Sequence, residues 1–172
     1  SQCEATGAGG QGGGLLITAP YSLEMRDQAT VTQCAAVDGG GIYLDMSRQI
    51  SNTLHLRDDA AVTGCRASRN GGGIAISALG YHSGTQTIVF EGASAVRNCT
   101  ARSNGGGVHI DEPLVHNNSD PVKFRGNARI EDCKAETGDG GGVSSVLDLV
   151  FGGQAAVLRC SAKGDGGGIS AS

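Results

Sequence analysis

Residues 65–76 read Cys-Arg-Ala-Ser-Arg-Asn-Gly-Gly-Gly-Ile-Ala-Ile, and five further copies of this pattern occur in the chain of 172 residues. Every copy has a cysteine, an alanine two residues later, and then three glycines followed by an aliphatic residue. Successive cysteines are separated by 31, 31, 34, 34 and 27 residues. A repeat of this length is typical of solenoids, in which each repeat packs mainly against its neighbours.

Apolar residues recur at fixed distances from each cysteine and fall in pairs that are two residues apart. Leu54 and Leu56 form one such pair, and Ile42 and Leu44 form another. A period of two residues is the pattern of a β-strand with one inward face. We therefore predict three short strands in each repeat, represented by residues 53–57, 62–67 and 42–45. No part of the chain shows the periodicity of a helix.

Strands that recur in this way predict an all-β, parallel β-helix of about six coils, in which like residues form ladders through the core. Residues 1–172 are expected to be a single β-helix segment taken from a longer array. Glycine, aspartate and asparagine tolerate the left-handed backbone that corners need. The predicted turn glycines are Gly40, Gly72, Gly106, Gly141 and Gly167.

The repeats differ in length mainly after the strand that follows the triple glycine, at residues 46–52, 77–86 and 111–121. Loops of unequal length are therefore expected along one edge, which is often the binding face of a repeat protein. His82, His109 and His116 lie at or near this edge and form the one polar group that does not repeat. A metal-binding or catalytic role for these histidines is an alternative to a purely structural one.

Composition excludes several classes of partner. The net charge is −4 and the charged residues are scattered, so we predict no binding to nucleic acid. No apolar run approaches the roughly 20 residues of a membrane-spanning helix, and we predict no span in this segment. Glycine accounts for 30 residues. Disorder is nevertheless not expected, because the apolar residues recur at fixed offsets.

The repeated cysteines predict a structural ladder of free thiols or disulfides. Neighbouring coils place such residues about 4.8 Å apart, within the range that disulfides permit. Stacked side chains point in parallel, however, which fits disulfide geometry poorly, so both states remain open. A catalytic thiol is the least favoured interpretation, because no cysteine stands in a sequence context that differs from that of the others. The ladder contains Cys3, Cys34, Cys65, Cys99, Cys133 and Cys160.

Two further patterns allow both a structural and a functional reading. Asn98 and Asn117 begin Asn-x-Ser/Thr sequences, which are possible N-glycosylation sites or chance matches. An aspartate or asparagine also precedes each triple glycine after the first, where it can cap a turn or contribute to a calcium ladder. These residues are Asp38, Asn70, Asn104, Asp139 and Asp165.

One pair of motifs resembles a known family. Phe-Arg-Gly-Asn at residues 124–127, followed by Gly-Gly-Gly-Val at residues 140–143, is similar to the paired Phe-x-x-Asn and Gly-Gly-Ala-Ile motifs of chlamydial polymorphic outer-membrane proteins. The third glycine and the repeated cysteine depart from that family's pattern. The resemblance implies a right-handed, pectate-lyase-like β-helix and a surface-displayed adhesin or structural rod.

Together these observations predict a non-enzymatic structural or adhesive rod module of a cell-surface or extracellular filament protein. We predict no cofactor, no resident metal and no catalytic residue. The expected partners are other repeats or subunits stacked end to end, or surface glycans and proteins. The alternatives are a polysaccharide-binding or polysaccharide-cleaving β-helix and the passenger of an autotransporter-like adhesin.

Overall fold

The computed structural model describes residues 3–7, 9–18, 22–46, 52–77, 86–111 and 121–171. These residues form 22 short strands and no helix. The strands stack into four parallel sheets, two with six strands and two with five. The chain is thus an all-β parallel solenoid, as the repeat predicts, although its described residues make fewer than six complete coils.

Each coil passes through the four sheets in the same order. The cysteine sheet contains β1 (Cys3–Glu4), β5 (Cys34–Ala36), β9 (Arg66–Ala67), β13 (Thr100–Ala101), β17 (Lys134–Ala135) and β21 (Ser161–Ala162). The post-glycine sheet contains β2 (Leu15–Thr18), β6 (Ile42–Asp45), β10 (Ile74–Ser77), β14 (Val108–Asp111), β18 (Val143–Ser145) and β22 (Ile169–Ala171).

The other two sheets complete the coil before the next cysteine. The phenylalanine sheet contains β3 (Ser22–Met25), β7 (Asn52–Leu56), β11 (Gln86–Phe90), β15 (Val122–Phe124) and β19 (Leu149–Phe151). The valine sheet contains β4 (Thr30–Thr32), β8 (Ala61–Thr63), β12 (Ala95–Arg97), β16 (Arg129–Glu131) and β20 (Ala156–Leu158).

The prediction of three strands in each coil is wrong, because the chain turns at the residue before each cysteine after the first. The predicted strand at residues 62–67 is instead divided between β8 and β9, with Gly64 at the corner in a left-handed conformation (φ +65°). The equivalent residues are also left-handed: Gln33, Asn98, Asp132 and Arg159. Glycine, asparagine and aspartate at three of these five positions are the signal for this corner.

The ladders predicted from the alignment of the repeats are confirmed by the register of the strands. Ile74 pairs with Ile42 on one side and with Val108 on the other, and Phe90 pairs with Phe124. The ring centroids of Phe90 and Phe124 lie 4.8 Å apart, and those of Phe124 and Phe151 lie 4.6 Å apart. Parallel in-register stacking therefore places like side chains on top of one another through a continuous core.

The three glycines of each repeat are needed for three different reasons. Gly71 has a left-handed backbone (φ +63°). A Cβ on Gly72 would lie 2.2 Å from the carbonyl oxygen of Gly106 in the next coil. A Cβ on Gly73 would point into the core, 2.7 Å from Cγ1 of Val96. The triple glycine thus combines a turn, a close approach of two backbones and a narrow interior.

This arrangement corrects the assignment of the turn glycines. The left-handed residue is the first glycine of each triplet, whereas Gly40, Gly72, Gly106 and Gly141 are second glycines that lie against the backbone of the next coil. Gly167 differs from them, because the nearest atom to a Cβ there would be 3.7 Å away.

The variation in repeat length lies between the post-glycine sheet and the phenylalanine sheet. β6 ends at Asp45 and β7 begins at Asn52, and the corresponding gaps run from Ser77 to Gln86 and from Asp111 to Val122. The predicted variable loops lie largely outside the described residues. Within the described residues, no helix is long and apolar enough to cross a membrane.

Candidate binding groove on the post-glycine sheet

The outward face of the post-glycine sheet does not follow the repeat. Its central column alternates with core residues such as Ile42 and Leu44, so it faces away from the interior. Successive coils place very different side chains in this column: Leu16, Tyr43, Ala75, His109, Ser144 and Ser170. A functional site is more readily built from such residues than from the constant ladders.

A groove of about 360 Å³ opens where the small side chain of Ala75 lies between two ring-bearing residues. Ala75 is in register with Tyr43 on one neighbouring strand and with His109 on the other. Two strand spacings separate the backbones of Tyr43 and His109 by roughly 10 Å. The other lining residues are Gln11, Asp38, Arg69, Asn70, Ile76, Ser77 and Asp111.

An ion pair between neighbouring coils forms one wall of the groove. Nε of Arg69 donates to Oδ1 and to Oδ2 of Asp38, at 3.0 Å in each case, and its Nη2 also contacts Oδ2. Asp38 is only 4% exposed, and it also accepts a hydrogen bond from the backbone N–H of Asn70 at 3.1 Å. The carboxylate is thus held by three nitrogen donors, which satisfies its charge in a buried position.

Asp38 is also the first member of a ladder that joins the coils. The side-chain oxygen of Asn70 accepts from the backbone N–H of Asn104 at 3.1 Å, and the pattern continues through Asp139 to Asp165. These side chains therefore bond to the next coil rather than only within their own turn. Among the described residues, no group of three or more His, Cys, Asp and Glu is arranged to hold a metal ion.

Tyr43 and His109 are held in their neutral forms by their surroundings. Burial raises the pKa of Tyr43 and outweighs a hydrogen bond with Ser77 that lowers it. The carboxylates of Asp45 and Asp38 also raise this pKa, while the charge of Arg69 lowers it. Burial lowers the pKa of His109, against the opposing effect of the nearby carboxylates. Nδ1 of His109 is buried without a hydrogen-bond partner. The groove therefore presents a neutral phenol and a neutral imidazole at pH 7.

The depressed pKa of His109 predicts a measurable dependence of stability on pH. The unfolded chain takes up a proton near the ordinary pKa of 6.5, whereas the folded chain resists protonation until a lower pH. Stability should therefore fall as the pH drops below about 6.5. An NMR titration should place the pKa of His109 below that value, and His109→Gln should remove its share of the pH dependence. A pKa at or above 6.5 would contradict the structure.

The structure locates only part of the predicted sites. His109 lines the groove, whereas His82, His116 and Asn117 lie outside the described residues. Asn98 is exposed at a left-handed corner (φ +54°), and its glycosylation stays a prediction.

Tyr43 and Arg69 were missed as members of a site by reasoning from the sequence, whereas Asp38 was considered only as a turn cap or a calcium ligand. The available signal was Tyr43, an aromatic residue at an outward position of its strand. The contact between Arg69 and Asp38 becomes visible only when the register of the coils is known.

The predicted cysteine ladder runs along the cysteine sheet, and the structure contains its members as free thiols. Sγ of Cys99 donates to the carbonyl oxygen of Arg97 at 3.2 Å. Its hydrogen bond with Cys133 lowers its pKa, but the bond with Cys65 and burial outweigh this effect and raise the pKa to about 12. The thiol is therefore protonated and poorly nucleophilic at neutral pH.

Thiol labelling should separate the end of the ladder from its middle. Cys3 is exposed, whereas Cys99 and Cys133 are buried and both have a pKa raised to about 12. At pH 8, an alkylating reagent should modify Cys3 quickly, and it should modify the two buried cysteines only after denaturation. Mass spectrometry of peptides from the labelled chain measures each site. Equal rates at Cys3 and Cys99 would show that the ladder is not buried.

Comparison with protein-family models, with curated proteins and with solved structures finds no match for this chain.

Proposed function

We propose that this chain is a non-enzymatic scaffold module of a cell-surface or extracellular protein, which displays binding surfaces on a stacked β-helix. The contrast between its interior and its exterior carries this proposal. Most core positions stay apolar from coil to coil, with the buried Ser145 below Ile110 as an exception. The outward column, in contrast, changes from Tyr43 to Ala75 to His109. A constant core with a variable exterior suits a protein that presents contacts.

The outer charges support a structural role, because several of them join coils. Arg57 contacts Glu24 at 2.7 Å, and Arg66 contacts Glu136 at 3.1 Å. Arg159 contacts Asp132 at 2.7 Å in the preceding coil. Solvent screens each exposed pair, so a single pair contributes little to stability. Together such pairs align the outer faces of the stack.

The resemblance to chlamydial polymorphic outer-membrane proteins supports placement at a cell surface. Phe124, from the matching motif, lies in the stacked phenylalanine ladder, and the second motif coincides with the triple glycine that packs against the next coil. A right-handed, pectate-lyase-like coil and an adhesin or structural role belong to the same proposal.

A binding-and-turnover assay tests the proposed function. The purified chain is incubated with soluble plant, fungal and bacterial polysaccharides, and new chain ends are measured over a day. The proposal predicts that no new chain ends form, including with any polysaccharide that retains the protein in affinity electrophoresis. Reproducible cleavage that is lost in His109→Ala would instead establish the polysaccharide-cleaving alternative, which the groove beside His109 favours.

The extracellular placement has its own test in material from the natural source. The intact mass of the protein is measured. Glycan mass on the exposed Asn98 supports an extracellular location. A chain from the natural source that carries no glycan mass would argue against an extracellular eukaryotic source.

A further inference from the structure

We propose that the groove between Tyr43 and His109 binds a short stretch of neutral saccharide. The inference rests on the proposed function and deepens it, because it names the ligand class of one face of the scaffold. It concerns the outward face of the post-glycine sheet, where the side chain of Ala75 leaves space between its two larger neighbours.

The lining of the groove offers the mixture of groups that sugar hydroxyls need. Each hydroxyl both donates and accepts a hydrogen bond, so a saccharide site needs donors and acceptors close together. Here the exposed guanidinium of Arg69 supplies donors and the exposed carboxylate of Asp111 supplies acceptors. The hydroxyl of Ser77, which is hydrogen-bonded with Tyr43, also lines the groove. Gln11 adds an amide at the same groove.

The floor and ends of the groove supply the apolar part of the site. Ala75 (3% exposed) and Tyr43 (9% exposed) line the buried part of the groove, and the half-buried ring of His109 adds to the same lining. Sugar rings carry C–H groups on their faces, and aromatic side chains offer them an apolar surface beside a polar tip. The volume of about 360 Å³ lies at the small end of the range for ligand clefts, which fits a short segment rather than a long polymer.

The charges of the groove distinguish neutral saccharides from acidic ones. Arg69 is the one Lys or Arg side chain that lines it in the described part of the chain, and its Nε is bonded to the buried Asp38. Asp111 adds an exposed carboxylate. The carboxylate of a uronate would therefore be repelled by Asp111, and Arg69 is already paired with Asp38. A neutral sugar has no charge and avoids this repulsion.

Titration of the whole chain with defined oligosaccharides tests this inference. Backbone amide NMR spectra are recorded with tetrasaccharides of glucose, mannose, galactose and N-acetylglucosamine, and with tetragalacturonate as the acidic comparison. At least one neutral sugar should shift the amide signals of Ala75, Ser77 and His109. Tetragalacturonate should bind at least tenfold more weakly than the best neutral sugar.

Two substitutions in the groove and one matched control locate the site. His109→Ala and Asp111→Ala should each weaken binding of the best neutral sugar about tenfold, which is the effect of losing roughly 1.4 kcal/mol. Ser144→Ala changes the next outward position in the column, which does not line the groove, and should leave the affinity unchanged. The same spectra report whether each variant is folded. If one of the two groove variants does not fold, the other still tests the site.

Three outcomes would overturn the inference: no neutral sugar binds, the signals that shift lie on another sheet, or the acidic sugar binds equally well. Each leaves the scaffold function standing, because another surface can carry the contacts. Cleavage of a bound sugar would instead overturn the non-enzymatic function and leave the assignment of the groove intact.

Discussion

Replacing Gly72 with alanine is expected to lower the free energy of unfolding by at least about 3 kcal/mol, at the upper end of overpacking effects. The new methyl group would lie 2.2 Å from the carbonyl oxygen of Gly106 and 2.4 Å from the carbonyl carbon of Thr100. Both are backbone atoms of the next coil, so the strain is relieved only by opening the stack. Because each coil contacts mainly its neighbours, this opening divides the continuous core.

The last coil provides the matched control for this substitution. Gly167, like Gly72, is the second glycine of its triplet, but the nearest heavy atom to a methyl group added there would be 3.7 Å away. Gly167→Ala should therefore change stability by no more than about 0.5 kcal/mol. Chemical denaturation followed by circular dichroism measures both variants. Equal losses at the two positions would show that close stacking of the coils is not what requires the glycine.

Replacing Phe124 with alanine is expected to cost about 3–5 kcal/mol, the usual range for a buried aromatic side chain. Its ring is 1% exposed and stacks between those of Phe90 and Phe151, with centroids 4.8 and 4.6 Å away. The substitution therefore removes two ring contacts and leaves a cavity in the centre of the ladder. Denaturant unfolding of the variant measures the loss.

Phe151 is the control for this second prediction, because it occupies the same column at the end of the stack. It is 38% exposed and loses a single ring contact, with Phe124. Phe151→Ala should cost less than half as much as Phe124→Ala. A similar cost for both variants would contradict the burial gradient along the ladder.

The interior of this molecule was predictable from the sequence because stacking repeats the same environment. Leu54 and Ile88 occupy corresponding positions in successive repeats, and they pair in the structure. The corner before each cysteine was less visible. There the chain tolerates Gln33 and Arg159 in a left-handed conformation as well as glycine and asparagine, so residue type alone is a weak signal.

The groove was only partly predictable, because its members come from separate coils and do not repeat. His109 was identified because it lies near the variable edge in a polar group that does not repeat, but nothing in the sequence associates it with Tyr43 or Arg69. The 31-residue step between Asp38 and Arg69 becomes a direct contact only once the register is known. The groove is therefore recognised only when the outward columns are compared after the ladders have been aligned.

The triple glycines are rigid stacking elements, which allow a glycine-rich chain to form a stacked solenoid. Their backbone N–H groups donate to the next coil: Gly71 to Asn104 at 2.9 Å, Gly72 to Gly105 at 3.0 Å and Gly73 to Gly107 at 2.9 Å. Flexible glycine loops lack such bonds, and their amide hydrogens exchange rapidly with solvent.

Amide hydrogen exchange, resolved at single residues by NMR, tests this claim most directly. The amides of Gly71, Gly72 and Gly73 should exchange as slowly as those of the core strand residues Ile74 and Ile76. Exchange of these glycine amides at the rate of an unstructured peptide, while the strand amides remain protected, would contradict the account. The glycines would then be flexible connections rather than the elements that hold the coils together.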